Sequence, residues 1–325
     1  FQVANARQLS RRLREPCPAG VQFRASFNIS SLDEKAIMEC VALNFAIGLV
    51  VALGSILGGF AALGGHLIVI WQPWEFVIIG GSALGTFIIA NTMKTIRDTG
   101  GAIVEAILDR QPNPRDYLDV LGVLAGLMRE LRGRSRAEAE KHVDNPSESQ
   151  IFMAFPKVLA NKELTSFICD YCRLIIIGNA RTHEIEALMD EELHTISRDK
   201  LKPYQALTAV SEALPALGIV AAVLGVVKTM GSIDKPPAVL GGMIGSALVG
   251  TFLGVLLSYG LVGPFANRAK QVIAADAAIY HVVKQIIVAS LNGHPLPLVI
   301  EAARSGIEHS NQPSFAEVFD GMRGR

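Results

Sequence analysis

Two stretches of this sequence are too long, too apolar and too poor in charge for a fold that lives in water. No Asp, Glu, Lys or Arg occurs from Cys40 to Trp74, and Pro236–Asn267 is 32 residues long without a charge. A helix that crosses a bilayer needs about 20 apolar residues. Charged residues make up 18% of the chain, whereas soluble domains carry about a quarter. Part of this chain is therefore expected inside a membrane.

Two shorter uncharged runs complete the pattern. Phe76–Met93 follows a turn at Trp71–Trp74, where Trp and Pro are typical of a membrane interface. Ala213–Val227 is short, but residues 229–231 can extend it. With Leu43–Gly65 as the first span, the sequence predicts four transmembrane helices, the first two of which form a tight hairpin.

The positions of Lys and Arg predict the orientation of these spans. Of the 30 basic residues, six precede span one, none lies between spans one and two, 16 lie between spans two and three, two between three and four, and six follow span four. Basic loops stay in the cytoplasm. We expect a multi-pass membrane protein with both termini and the long central loop in the cytoplasm.

The predicted domains follow from these boundaries. The N-terminal extension is Arg-rich, contains no long apolar run and is expected to be disordered, without an assigned function. The divisions are 1–37 for the extension, 38–93 for the transmembrane hairpin, 94–212 for a cytoplasmic helical domain, 213–267 for spans three and four, and 268–325 for a C-terminal helix and tail.

The segments outside the membrane have helical periodicity. Tyr117–Arg136 repeats Leu and Met at helical spacing, and Thr165–Glu212 does so with a break at Pro203 before it runs into span three. Span four is expected to continue through Arg268–Leu291 and to end at Asn292-Gly293. No alternating strand pattern is present in the sequence. The predicted fold is all-α, with a cytoplasmic helical domain continuous with spans three and four.

The predicted spans contain no carboxylate and no amine, only neutral polar side chains such as Ser246 and Ser258. An ion carrier needs a group that titrates or coordinates within the membrane. If this chain conducts protons, a partner helix must therefore supply the acid.

Other functional classes have little support in the sequence. Cys169 and Cys172 form a CxxC pair, but inside an apolar helical stretch with no second pair of ligands, so we interpret them as buried thiols and expect no metal and no cofactor. The chain has no nucleophile–base arrangement, and Gly80–Gly85 lies within a span rather than at a phosphate-binding turn. A net charge of zero argues against nucleic acid.

Small residues and prolines mark the spans. Ser246, Gly250, Gly254 and Ser258 form one stripe along span four, which allows close helix contact either within the subunit or with another chain. The same two interpretations apply to the pairs Gly54/Gly58, Gly81/Gly85, Gly241/Gly245 and Gly218/Ala222. Pro215 opens span three and Pro264 closes span four, each as a static kink or as a hinge.

Several motifs resemble one known family. Leu214–Ala266 resembles the last two spans of MotA-type flagellar stator subunits, which belong to the MotA/TolQ/ExbB proton channel superfamily. Further similarity lies in Gln72-Pro73-x-Glu75 with FVIIGGSALGTFI, in Asp144–Phe152 and in Glu184–Leu193. The resemblance covers about residues 43 to 320 and leaves 1–37 outside it.

The resemblance implies a ring of five A subunits around two helices of a B-type, MotB-like subunit, whose membrane aspartate takes up protons. The cytoplasmic helices would push a FliG-like protein of the rotor's switch complex. In this sequence the matching ion-path and coupling positions are Pro215, Pro264, Thr251, Ala222 and Tyr259.

The rotor-facing charges of the family match Arg132 and Glu140, and which of the neighbouring arginines matters most stays open. Because Ala222 is apolar where sodium-driven relatives tend to be polar, the resemblance favours protons over sodium.

Two alternatives have weaker support. An ExbB/TolQ-like energising subunit of an outer-membrane system shares the principle of a ring around a helix, but those proteins have three spans and differently placed soluble segments. A self-contained channel or transporter would be expected to show an intramembrane charge or an internal repeat, and the sequence shows neither.

Overall fold

The computed structural model describes residues 47–108, 111–133, 136–178 and 181–323. The predicted extension 1–37 lies outside these ranges. Within them the regular structure is helical and contains no strand, which confirms the prediction of an all-α protein.

The helices follow one another with short connections, and four of the described helices begin at a proline, which lacks the N–H that the first helical position leaves unpaired. In chain order they are α1 (Ile47–Ala62), α2 (Pro73–Ala90), α3 (Met93–Leu108), α4 (Pro114–Gly133), α5 (Arg136–Asp144), α6 (Gln150–Met153), α7 (Pro156–Ala160), α8 (Lys162–Ile177), α9 (Thr182–Lys200), α10 (Lys202–Met230), α11 (Pro237–Val255), α12 (Gly263–Leu291), α13 (Leu296–Ser305) and α14 (Phe315–Arg323).

Three helical segments of the described chain are long and apolar enough to cross a membrane: Leu67–Ala90, Thr182–Met230 and Pro237–Leu291. They contain the second, third and fourth predicted spans. The first predicted span corresponds to Ile47–Ala62, an apolar helix that is shorter within the described residues. Large apolar side chains such as Val220 and Leu248 are exposed on these helices, as expected for surfaces that contact lipid or another chain.

Two of these segments extend well beyond a bilayer. Thr182–Met230 has 49 residues and Pro237–Leu291 has 55. At about 1.5 Å per residue, either one is more than twice as long as the hydrocarbon core of a membrane. The helical segments that contain predicted spans three and four thus continue into polar sequence, the first with a break at Leu201, and the second ends before Gly293, as expected.

The polar helices share one hydrophobic core. Its fully buried members include Leu124 of α4, Phe152 of α6, Ile168 of α8, Met189 of α9 and Ile287 of α12. Since each of these helices is amphipathic or short, none buries its apolar face alone. The end of α12 thus belongs to the same packed unit as the helices of the central segment.

Cys169 and Cys172 lie in this core as free thiols. Burial raises the pKa of Cys169 to about 11 and the pKa of Cys172 to about 12. The interpretation of these two residues as buried thiols is confirmed.

We expect both thiols to react slowly with a water-soluble aromatic disulfide reagent at pH 8. Burial excludes the reagent and reduces the thiolate fraction, so labelling of a Cys17→Ser, Cys40→Ser chain should be about 100-fold slower when it is folded than when it is unfolded. The measurement is the absorbance of the released thiolate over time. Adding Ser166→Cys, at an exposed position of the same helix, supplies a rapidly labelled control; equal rates for all three thiols would contradict the expectation.

Candidate functional site

The helices α10 and α11 approach each other closely at glycines. A methyl group on Gly218 would lie 2.8 Å from the carbonyl oxygen of Gly250 and 3.0 Å from Cα of Gly254. A methyl group on Gly254 would lie 2.6 Å from the carbonyl oxygen of Leu214. Contacts this short leave room only for hydrogen, so the two helices touch backbone to backbone.

The predicted small-residue stripe faces into this subunit. Ser246 accepts a hydrogen bond from Nε2 of Gln72 at 3.2 Å, and Gly250 and Gly254 contact α10. For these positions, packing within the subunit is the correct interpretation. Open space surrounds the other glycine pairs, whose contact with another chain stays a prediction: Gly54/Gly58, Gly81/Gly85 and Gly241/Gly245.

One carboxylate lies at the start of the helix that contains the second predicted span. This helix, α2, begins before Phe76, at Pro73, and Glu75 therefore lies in its first turn. The Oε2 atom of Glu75 is buried and has no hydrogen-bond partner among the described residues. A methyl group on Gly250 would lie 2.7 Å from this atom, so the carboxyl occupies space that Gly250 leaves open.

One predicted ion-path residue, Ala222, lies near this carboxyl. The same methyl group on Gly250 would lie 3.1 Å from the backbone nitrogen of Ala222, and Thr251 is the next residue of α11. Ala222 is buried against α11 within the subunit, and Thr251 is half-buried. Their role in lining an ion path stays a prediction.

Pro215 lies inside α10 and has no N–H to donate to the carbonyl oxygen of Ser211, one turn earlier. Oγ of Ser258 donates to that oxygen at 2.6 Å. In return, Oγ of Ser211 donates to the carbonyl oxygen of Ser258 at 3.1 Å. Both serines are buried. The carbonyl oxygen of Ser211, which Pro215 leaves without its helical donor, thus connects α10 by a hydrogen bond to the segment that follows α11.

That segment, Leu256–Val262, is a π-helix that joins α11 to α12. Its widened turn is visible in the hydrogen bond from the N–H of Gly263 to the carbonyl oxygen of Ser258. Tyr259 lies within it and is 74% exposed, and Pro264 follows in the first turn of α12. Single π turns are frequent at functional sites and bend helices. Sequence reasoning predicted a kink or a hinge here but no π-helix.

The two predicted rotor-facing residues lie in the polar part of the chain. Arg132 is exposed in the last turn of α4, and its Nη2 donates to Oγ of Ser290 near the end of α12 at 3.0 Å. Glu140 is exposed on α5. The hydrogen bond joins Arg132 directly to the helix that continues from the membrane. Arg134 lies outside the described residues.

Sequence reasoning missed Glu75 and Ser211. Pro73 is a signal for the first position of a helix and could have placed Glu75 inside α2. Counting one turn back from Pro215 could have identified Ser211 as the residue whose carbonyl needs another donor. As for metals, the described ranges hold no group of three or more His, Cys, Asp or Glu side chains that could bind an ion.

We expect Ser258→Ala to lower stability by about 1–3 kcal/mol, because it leaves the buried carbonyl of Ser211 without a donor. Thermal unfolding of the purified chain in detergent, followed by circular dichroism, measures the effect. Ser305→Ala is the matched control, since that exposed hydroxyl donates only to Ala302 of its own helix. In a Pro215→Ala background the restored N–H can donate to the carbonyl oxygen of Ser211, so Ser258→Ala should lower stability by less. An equal loss of stability in both backgrounds would contradict this explanation.

The chain matches two sequence families. The first, Motility protein A N-terminal, matches residues 46–135, and the second, the MotA/TolQ/ExbB proton channel family, matches residues 159–281. The first match does not favour the ExbB/TolQ-like alternative, because it is to motility proteins alone.

Relatives and solved structures agree with these matches. In fold, the chain is similar to C. jejuni MotAB (TM-score 0.66, 17% identity, 84% of this chain and 99% of that one). It is also similar to the flagellar MotAB stator complex from Bacillus subtilis (TM-score 0.52, 19% identity, 79% of this chain and 92% of that one).

Two relatives are more similar to this chain in sequence than the two solved structures are. The chain is 33% identical to chemotaxis protein LafT of Vibrio parahaemolyticus over 272 residues, 84% of this chain and 95% of that protein. It is 42% identical to Motility protein A of Salmonella typhimurium over 277 residues, 85% of this chain and 94% of that protein. As its motifs predict, the chain belongs to the motility protein A family.

Proposed function

We propose that this chain is the A-type stator subunit of a bacterial flagellar motor. With a B-type, MotB-like subunit it forms a complex that conducts protons and converts their flow into torque. The observation that carries the proposal is 42% identity to Motility protein A across 94% of that protein's length. The geometry of α10 and α11 supports it, because these helices form a tightly packed pair with exposed apolar faces.

The proposed topology has four spans in the inner membrane. Ile47–Ala62 belongs to the first span, and the three longer apolar segments contain the others. Because 16 of the 30 basic residues lie between spans two and three, the positive-inside rule favours a cytoplasmic central domain and cytoplasmic termini. The hydrophobic core supports this arrangement, since it packs the central segment against the end of α12.

The packed pair α10 and α11 can form one wall of an ion path. Further copies of this chain or a partner protein are needed to enclose that path. On α10 and α11, Val223, Val227 and Leu248 are exposed, and such apolar surface favours contact with other helices or lipid. We propose a ring of five A subunits around two B-type helices. In this arrangement the membrane aspartate of each B-type helix binds the proton.

Proton passage would move the A subunits around the B-type helices. The membrane potential supplies about 2.3 kcal/mol per charge per 100 mV. At each proline the helix lacks one internal hydrogen bond, and another donor replaces it. If that replacement bond can exchange, the helix has two arrangements that are close in energy. Pro215 and Pro264 are therefore the proposed hinges, and the Ser211–Ser258 pair connects them. From there, α12 extends into the polar core.

The proposed contact with a FliG-like rotor protein involves Arg132 and Glu140. Both side chains are exposed, and an exposed charge steers a partner of opposite charge. The bond between Arg132 and Ser290 also supports a mechanical link between the rotor-facing surface and α12. Ala222, which is apolar, favours protons as the driving ion.

In cells that lack their own A subunit, we expect this chain with its B-type partner to restore swimming in sodium-free medium at fixed proton-motive force. Pro215→Leu should insert in the membrane and copurify with the partner but abolish swimming, because a restored N–H competes for the carbonyl of Ser211. Pro114→Leu, at the exposed start of α4, is the matched control. Loss of swimming in low sodium would contradict proton drive, and normal swimming of Pro215→Leu would contradict the hinge.

Charge reversal at both Arg132 and Glu140 should lower torque by a factor of a few, because each exposed charge pair contributes at most about 1 kcal/mol. The torque is measured from the rotation of tethered cells. Copurification with the partner should stay normal. Arg115→Glu reverses an exposed charge at the other end of α4 and serves as the control. If the double variant no longer assembles, the two residues are structural.

A further inference from the structure

We propose that Glu75 is a second proton-binding carboxyl of the ion path, one that the A subunit itself contributes. This inference rests on the proposed function, because it assumes that the complex conducts protons. It goes beyond that function by assigning a titrating group to the wall of the path as well as to the partner helix.

The position of Glu75 is the first argument. It lies in the first turn of α2, which packs against α10 and α11. Its Oε2 lies 2.7 Å from the place where a methyl group on Gly250 would stand, and Cβ of Ala221 and the backbone nitrogen of Ala222 each lie 3.1 Å from that place. The carboxyl thus extends between the two helices that we propose as the wall. It ends near Ala222, a position that the family resemblance assigns to the ion path.

The energy of a carboxylate oxygen without a partner is the second argument. Glu75 as a whole is half-buried, but its Oε2 is buried without a hydrogen-bond partner, and an ionised oxygen in that position is stabilised by gaining a partner or a proton. The charged side chain whose field acts on it from α10 is Lys228. Pro237–Val255 of α11 contains no titratable side chain. Within the described residues the two groups form no ion pair, so a proton is the simplest means of neutralising Glu75.

The proposed step exchanges only protons. The protonated carboxyl releases its proton through water to the aspartate of the B-type helix, and its O–H bond breaks. Hydronium that enters from the side of the membrane where α2 begins then gives a proton to the carboxylate: an O–H bond of hydronium breaks, an O–H bond forms on the carboxyl, and water remains. Glu75 returns to its starting state, and no electron is transferred.

The experiment uses the full chain in complex with its B-type partner, reconstituted in liposomes. Glu75→Gln keeps the size of the side chain but cannot release a proton as an acid. We expect unchanged copurification with the partner and a fall in proton flux of about tenfold or more. The dependence of the remaining flux on external pH should flatten. Glu75→Asp should retain part of the flux, and Glu105→Gln, an exposed glutamate on α3, is the control for the change in charge.

An infrared measurement supplies a readout that does not depend on flux. Wild-type complex at neutral pH should show the carbonyl band of a protonated carboxyl, and Glu75→Gln should lose that band while Glu105→Gln keeps it.

The outcomes separate the two proposals. If the wild-type complex moves no protons, the proposed function fails. If the wild-type complex conducts and Glu75→Gln conducts equally well with the same pH profile, the role of Glu75 is refuted. Loss of copurification in Glu75→Gln would likewise refute it, since the residue would then serve packing alone.

Discussion

The contact between the backbones of α10 and α11 is the constraint on which the membrane part depends. Gly218 lies so close to Gly250 and Gly254 that a side chain at any of the three would push the helices apart. The short separation brings Ser211 within hydrogen-bond reach of Ser258. It also leaves, at Gly250, the small space into which the carboxyl of Glu75 extends. The close approach of the two helices therefore determines both the hydrogen bonds between the two serines and the position of the Glu75 carboxyl.

The contact between α10 and α11 explains how the structure accommodates a proline inside α10. A proline inside a helix always leaves one carbonyl without its N–H donor, and in a membrane such an acceptor must find another partner. In α10 the partner comes from the neighbouring π-helix, through Oγ of Ser258. The two helices are joined at the point where each departs from regular α geometry. A change in either one is transmitted to the other through this pair of serines and onward along α12.

The long helices connect two environments with different packing. In the apolar part, small residues allow close contact and large apolar side chains face outward. In the polar part, α12 contributes Ile286 and Ile287 to a core built with the central helices, and the hydrophobic effect stabilises that core. Because one continuous segment takes part in both, movement in the membrane can act on the surface that carries Arg132.

The sequence alone determined the helical class, the apolar spans, the continuity of spans three and four with polar helices and the family, because these depend on composition, periodicity and local motifs. Only the tertiary structure decided which small residues face inward, since Gly250 and Gly241 have the same local pattern but different neighbours. It also decided that Glu75 lies against Gly250 and that Ser258 donates a hydrogen bond to Ser211, 47 residues away. Such contacts depend on how helices distant in sequence pack in space, and the periodicity of the sequence carries no information about that packing.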